Sequence, residues 1–215
     1  MKPILSDHDR SELDRRIAET EKRTNCQIVL SVIGRCDVYE ELPWKAFALG
    51  ASLAGLAAIV INTVVPLWYT RSATLVAISA TLAGGALLAL LTVLFPGFAK
   101  YFLTSSQAEE EIRQYAQALF LERELFATRG RTGILVLVSL FERRVVILPD
   151  TGLAHQLPEK TLHDIIGSMT PFLKKGDIRK AFETVLEHLS RTIRAAGSGT
   201  GRDALPNALI EEEGV

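Results

Sequence analysis

Two carboxylates flank a short apolar run late in the chain. Glu142 opens the polar break Glu142-Arg143-Arg144, and Asp150 follows Val145-Val146-Ile147-Leu148-Pro149. Around them Arg123, Arg129, Arg131, Arg143 and Arg144 offer enough positive charge to hold a phosphate, because the guanidinium fork matches phosphate oxygens in pairs. A carboxylate beside such a site could activate water, with calcium or magnesium as an aid. The chemistry would be phosphoester hydrolysis, with Glu142 and Asp150 as candidate catalytic residues and Arg129, Arg131 and Arg143 as the candidate anion site. Against this stands a simpler expectation. Charges at strand ends and turns are usually solvated, and these two carboxylates are expected near the two ends of one strand pair. An acidic cluster that would include Asp37, Glu40 or Glu41 does not assemble from sequence.

Other chemistries find less support. Asp150-Thr151-Gly152 after an apolar run mimics the aspartic-protease signature, but Pro149 precedes it and Leu153 follows it. A turn closed by Asp and Gly accounts for the same residues. His8, His155, His163 and His188 show no metal-ligand spacing, Cys26 and Cys36 are not a Cys-x-x-Cys pair, and no metal site is expected. There is no phosphate-binding Gly-Lys loop, no nucleophile elbow and no dinucleotide fingerprint. With 24 basic against 25 acidic side chains and no basic face, nucleic acid is not an expected partner.

The elements that would position these residues follow from periodicity and caps. Ser6 and Asp9 cap a helix running to about Arg23, and Cys26 to Ile33 reads as a buried strand. Ser106 and Glu109 form a capping-box pattern ahead of Ile112, Tyr115, Ala116, Leu119, Phe120 and Phe126, an apolar stripe at helical spacing. Gly133 starts Ile134 to Leu140, β-branched-rich and without alternation, which predicts a central strand buried on both faces. The short break at 142–144 then predicts an antiparallel hairpin with 145–148. Pro158 leads a helix bearing Leu162, Ile165, Ile166 and Met169, expected to end or kink at Pro171. Gly176 and Asp177 stop it and cap another, with Ile178, Ala181, Phe182, Val185, Leu189 and Ile193 on one face. Gly197-Ser198-Gly199-Thr200-Gly201 predicts a flexible linker, and the tail from Arg202, ending in Glu211-Glu212-Glu213, is expected to be mobile and dispensable for folding.

Between the first strand and the second helix lie Ala46 to Trp68 and Ala73 to Phe95, two stretches without a charged residue, separated by Tyr69-Thr70-Arg71-Ser72. Each is long enough to span the roughly 30 Å hydrocarbon core as a helix, and so short a turn makes the pair an antiparallel transmembrane hairpin. Gly50, Gly55, Gly84 and Gly85 would let its helices approach closely, and no ionisable residue within the spans points to transport. Arg71 alone sits in the turn, against Arg35 and Lys45 before the spans and Lys100 and Arg113 after them, so both termini are expected in the cytoplasm. Reduced thiols at Cys26 and Cys36 are consistent with that side. The expected organisation is a first domain part at 1–44, the hairpin at 45–97, a second domain part at 98–196, and a linker with an acidic tail at 197–215.

Helix, strand, insertion, helix, strand, strand, helix, helix is the order of a small α/β sandwich with a mixed sheet. That order, together with the segment from Phe126-Ala127-Thr128-Arg129-Gly130-Arg131-Thr132-Gly133 through Ile134–Leu140 to Phe141-Glu142-Arg143-Arg144-Val145-Val146-Ile147, resembles the TPM-domain family, in particular bacterial members with a membrane hairpin. The tail residues Leu205-Pro206-Asn207 resemble the ending of those members. The resemblance implies an α/β/α sandwich tethered to a bacterial inner membrane. It also brings an uneven functional record, with acid-phosphatase activity and photosystem maintenance linked to some plant and cyanobacterial relatives. The commoner pattern has Asp-Asn-Gly before the central strand, where this chain has Arg131-Thr132-Gly133, so a carboxylate expected at the sheet edge is absent. The expected function is a membrane-anchored module that binds other membrane-associated proteins in assembly or maintenance, without a cofactor, its sheet edge or basic rim serving as contact surface. The alternative is a membrane-tethered phosphatase, for which calcium or magnesium would be the cofactor.

Overall fold

The computed structural model describes residues 5–64, 71–193 and 209–214. In chain order its elements are α1 (Asp7–Thr24), β1 (Gln27–Arg35), α2 (Glu41–Val64), α3 (Arg71–Leu94), α4 (Pro96–Ala99), α5 (Ser105–Glu122), β2 (Gly133–Ser139), β3 (Arg144–Pro149), α6 (Glu159–Lys174), α7 (Ile178–Thr192) and β4 (Leu209–Gly214). The chain divides into two compact units, residues 1–36 with 109–215, and residues 37–108.

The first unit is a four-stranded mixed sheet with flanking helices. Its strand order is β3-β2-β1-β4, with β2 and β4 parallel to β1, and β3 antiparallel to β2. Side chains alternate across a strand, so each strand feeds two cores. Ile28, Leu30 and Val32 of β1, Ile134, Val136 and Val138 of β2, and Ile147 of β3 share a core with Leu13 and Ile17 of α1, Ile165 and Met169 of α6, and Phe182, Val185 and Leu189 of α7. Val29, Ile33, Leu135 and Leu137 face the other way, against Ile112, Ala116 and Leu119 of α5. Burial on both faces explains why β1 and β2 read as continuous apolar runs.

Caps fix the helix starts. Ser6 accepts a hydrogen bond from the Asp9 amide at 3.2 Å, and Asp177 accepts from the Lys180 amide at 3.1 Å, ahead of α1 and α7 respectively. Arg179 on α7 ties that helix to α1 by ion pairs to Asp9 at 2.8 Å and Glu12 at 2.7 Å.

Four expectations need correction. The tail is not a free appendage: residues 209–214 form β4 beside β1, with Ile210 buried, because an apolar β1 edge gives that segment a place to pair. The Gly197–Gly201 linker and Leu205-Pro206-Asn207 lie outside the described residues. Of the two outcomes expected at Pro171, an end or a kink, the end does not occur: α6 continues to Lys174. A proline this close to the helix end removes one hydrogen bond, and the carbonyl it would have used belongs to exposed Gly167. Phe126 does not belong to the stripe on α5: the helix ends at Glu122, Glu124 takes a left-handed φ of 51°, and Phe126 follows in a short 3-10 turn, exposed. Arg71 and Ser72, expected in a turn, belong to α3.

In the second unit α2 and α3 pack antiparallel, with Phe47 against Gly85, and Gly50 against Gly84. A Cβ on Gly50 would lie 2.5 Å from the Gly84 carbonyl oxygen, so these glycines allow backbone to meet backbone. Glu41–Val64 and Thr74–Leu94 are each long and apolar enough to cross a membrane. Large apolar side chains along both helices, including Leu53, Leu56, Ile59, Leu82, Leu87 and Leu90, are exposed.

Candidate functional site

The β2–β3 hairpin carries both candidate carboxylates, one at each end. Its register runs from Ile134 opposite Pro149 to Ser139 opposite Arg144. β3 has six residues, so its end residues are about 17 Å apart at roughly 3.3 Å per residue.

At the turn end, the Leu140 amide donates to the Ile33 carbonyl at 3.1 Å, and the Phe141 amide to the Gly34 carbonyl at 3.0 Å. The turn is therefore sewn to the end of β1, and Arg143 completes it with a left-handed φ of 53°. This geometry turns Glu142 inward, where it is only 8% exposed. One carboxylate oxygen accepts from the Cys36 amide at 3.0 Å, and the other accepts from the Ser139 hydroxyl. The Arg35 guanidinium lies 4.5 Å from the centre of the Phe141 ring, a cation–π contact. Burial, and next the Glu142 charge, push the Cys36 thiol up to about 12. A thiol held neutral in this way is a poor nucleophile.

At the opposite end, the Asp150 amide donates to the Gly133 carbonyl at 2.8 Å, which extends the ladder by one residue. The Asp150 side chain, on a residue 4% exposed, caps the following 3-10 turn through the Thr151 amide at 2.7 Å. The same oxygen accepts from Arg131 Nε at 3.1 Å, and Arg131 Nη2 is also 3.1 Å away. The second oxygen, Oδ2, is buried without a hydrogen-bond partner. Arg131 has a left-handed φ of 57°, and its carbonyl accepts from the Gly152 amide at 3.0 Å. Any Cβ on Gly152 would run into the Gly130 and Arg131 carbonyl oxygens, so only glycine lets these two loops close on one another.

The hairpin thus separates what a hydrolytic site would have to bring together. Arg129 and Arg131 lie at the Asp150 end, whereas Arg143 lies at the Glu142 end. Arg123 lies just beyond α5, Arg144 opens β3, and Asp37, Glu40 and Glu41 belong to the second unit. Among the described residues, no group of three or more His, Cys, Asp or Glu is placed to hold a metal ion. Two constellations escaped sequence reasoning. Ser139 and Glu142 are three residues apart in a turn, a local signal, but their link to Cys36 depends on the sheet. Arg131 and Asp150 are joined by the hairpin register, which a sequence reveals only once that register is known.

Residues 100–192 match the family model for the TPM domain. Over that stretch the chain is similar to TPM domains. The match takes in α5, β2, β3, α6 and α7, while α1, β1 and β4 lie outside it. A similar solved structure is the NMR structure of the BA42 protein from the psychrophilic bacterium Bizionia argentinensis, at 12% identity and a TM-score of 0.54, covering 98% of this chain and 97% of that one. At that identity the likeness concerns the fold. No curated protein matches the chain.

Proposed function

We propose that this chain is a membrane-anchored TPM module that acts by binding other membrane-associated proteins rather than by hydrolysing phosphoesters. The observation that carries this reading is the division of the two carboxylates between opposite ends of the hairpin. Glu142 is engaged by the Cys36 amide and the Ser139 hydroxyl, and Asp150 by Arg131 and the Thr151 amide. Acid–base chemistry on a phosphoester would need such groups within hydrogen-bond reach of one substrate.

Anchoring is supported by the exposed apolar surface of α2 and α3. Contiguous apolar surface of that extent is disfavoured against water. Trp44 in the first turn of α2 is 72% exposed, and Tyr101 soon after α3 is 86% exposed. These are the amphipathic aromatics that settle at a membrane–water interface. With two antiparallel spans, the segments before α2 and after α3 share one side, and the basic residues flanking the spans favour the cytoplasm.

A second reading, phosphoester hydrolysis with a bound divalent cation, draws on one observation, the buried Oδ2 of Asp150 without a partner. The test is turnover of a generic phosphoester by the detergent-purified chain, with and without calcium or magnesium, beside Glu142→Gln and Asp150→Asn. No turnover is expected. Activity that is lost in either variant would overturn the binding-module reading, and release of the chain from membranes by alkaline carbonate would overturn the anchoring.

A further inference from the structure

The last strand is poorly suited to its place. β4 reads Leu209-Ile210-Glu211-Glu212-Glu213-Gly214, and Glu and Gly are both depleted in strands. It occupies an edge of the sheet, joins the body of the domain only through residues 194–208, and lies outside the TPM match. Its pairing with β1 runs from Leu30 opposite Leu209 to Arg35 opposite Gly214.

The side-chain contacts of β4 are few and ordered. Leu209 packs on the core shared by α1, α6 and α7, and Ile210 is buried on the α5 face. Glu211 returns to the α1 face and forms an ion pair with Arg10. Beneath β4 lies β1, whose Val29, Leu30, Val32 and Ile33 are buried. The register sets Leu209 opposite Leu30, Ile210 opposite Ser31, and Glu211, the partner of Arg10, opposite Val32.

We propose that the outer edge of β1 is a strand-acceptor site, that β4 is its resident occupant, and that its partner in trans is an extended segment with two adjacent aliphatic residues followed by a carboxylate, running parallel to β1. This rests on the binding-module reading and gives that reading a surface. Strand addition at a sheet edge takes its affinity from main-chain hydrogen bonds and its specificity from alternate side-chain positions. Here those positions are the aliphatic sites of Leu209 and Ile210, and the carboxylate site facing Arg10. A tethered strand with an intrinsic Kd near 0.1 mM, competing at an effective concentration on the order of 1 mM, weakens the binding of a partner about tenfold. The site is built to stay closed until a stronger strand, or a locally concentrated one, arrives.

The probe is a fluorescent peptide with the sequence of residues 207–215, titrated by anisotropy into the full-length detergent-solubilised chain. Ile210→Asp and, separately, Glu211→Arg undock the resident strand while keeping the chain length. Each is expected to bind the peptide about tenfold more tightly than the wild type. Adding Arg10→Glu to Ile210→Asp should abolish that gain, and a peptide with Lys at the position of Glu211 should restore it. Equal binding by wild type and folded variants would overturn the proposal. Binding confined to a dimeric fraction would also overturn it, in favour of exchange between two copies. Should both variants aggregate, amide exchange on the wild type decides: millimolar peptide should expose residues 209–214 while β1 stays protected, and unchanged exchange there would count against the proposal. Phosphoester turnover would sink the binding-module reading but not the strand competition. Loss of the competition alone would leave the module reading in place.

Discussion

The two ends of the β2–β3 hairpin bury one carboxylate each and satisfy it by different means. At the Glu142 end a backbone amide and a hydroxyl, both neutral, donate to the carboxylate from the ends of β1 and β2. At the Asp150 end the main donor is a half-exposed guanidinium from the loop before β2, and one oxygen is left over. The first arrangement is a structural rivet, which holds a turn against the sheet. The second is a clasp between two loops, and its charge balance is internal. The contrast shows that buried carboxylates in one strand pair can serve architecture twice over.

The comparison can be broken most severely at the clasp. Gly152→Ala places a Cβ against two carbonyl oxygens, and we expect a loss of about 3 kcal/mol in urea denaturation. A loss below about 1 kcal/mol would mean that the two loops separate easily. At the rivet, Glu142→Ala leaves the Cys36 amide and the Ser139 hydroxyl without their acceptor, and about 2 kcal/mol should be lost. Glu142→Gln, which retains one acceptor oxygen, should lose less, and equal losses would place the effect in packing rather than hydrogen bonding.

The smallest effect concerns the thiol beside the rivet. With Cys36 raised from its ordinary value of 9 to about 12, its neutral form is favoured in the folded state. The associated stability is fully present below pH 9 and is lost as the pH rises toward 12. Native protein should resist alkylation at Cys36 at pH 8.5 and react there once unfolded, as peptide mapping would show. Rapid native alkylation would contradict its burial.

Much of the architecture was legible because its signals are local. Ser6 and Asp9, Gly176 and Asp177, and the unbroken apolar runs of β1 and β2 each declare an element through caps or through burial on two faces. The antiparallel hairpin followed from the shortness of the break at 142–144. What escaped was non-local or marginal. Leu209 and Ile210 are a weak strand signal beside three glutamates, and only the β1 edge makes a strand of them. Pro171 read as a stop or a kink, and the stop failed because sequence does not show that its missing hydrogen bond falls at an exposed last turn. The candidate arginines clustered in sequence, yet the hairpin sends Arg131 and Arg143 to opposite ends, since a strand converts a dozen residues of chain into a distance.

Placing residues 37–108 between β1 and β2 has a consequence in time. β1 is complete when Arg35 has been made, but its partner begins only at Gly133. At roughly 5–20 residues per second, a ribosome leaves β1 without its neighbour for about 5–20 s. During that interval a strand apolar on both faces lacks its neighbour, and the chain must complete two long apolar helices before β1 and β2 can pair. The birth of this domain therefore waits on residues 37–108, and a delay there would be felt first as aggregation through β1.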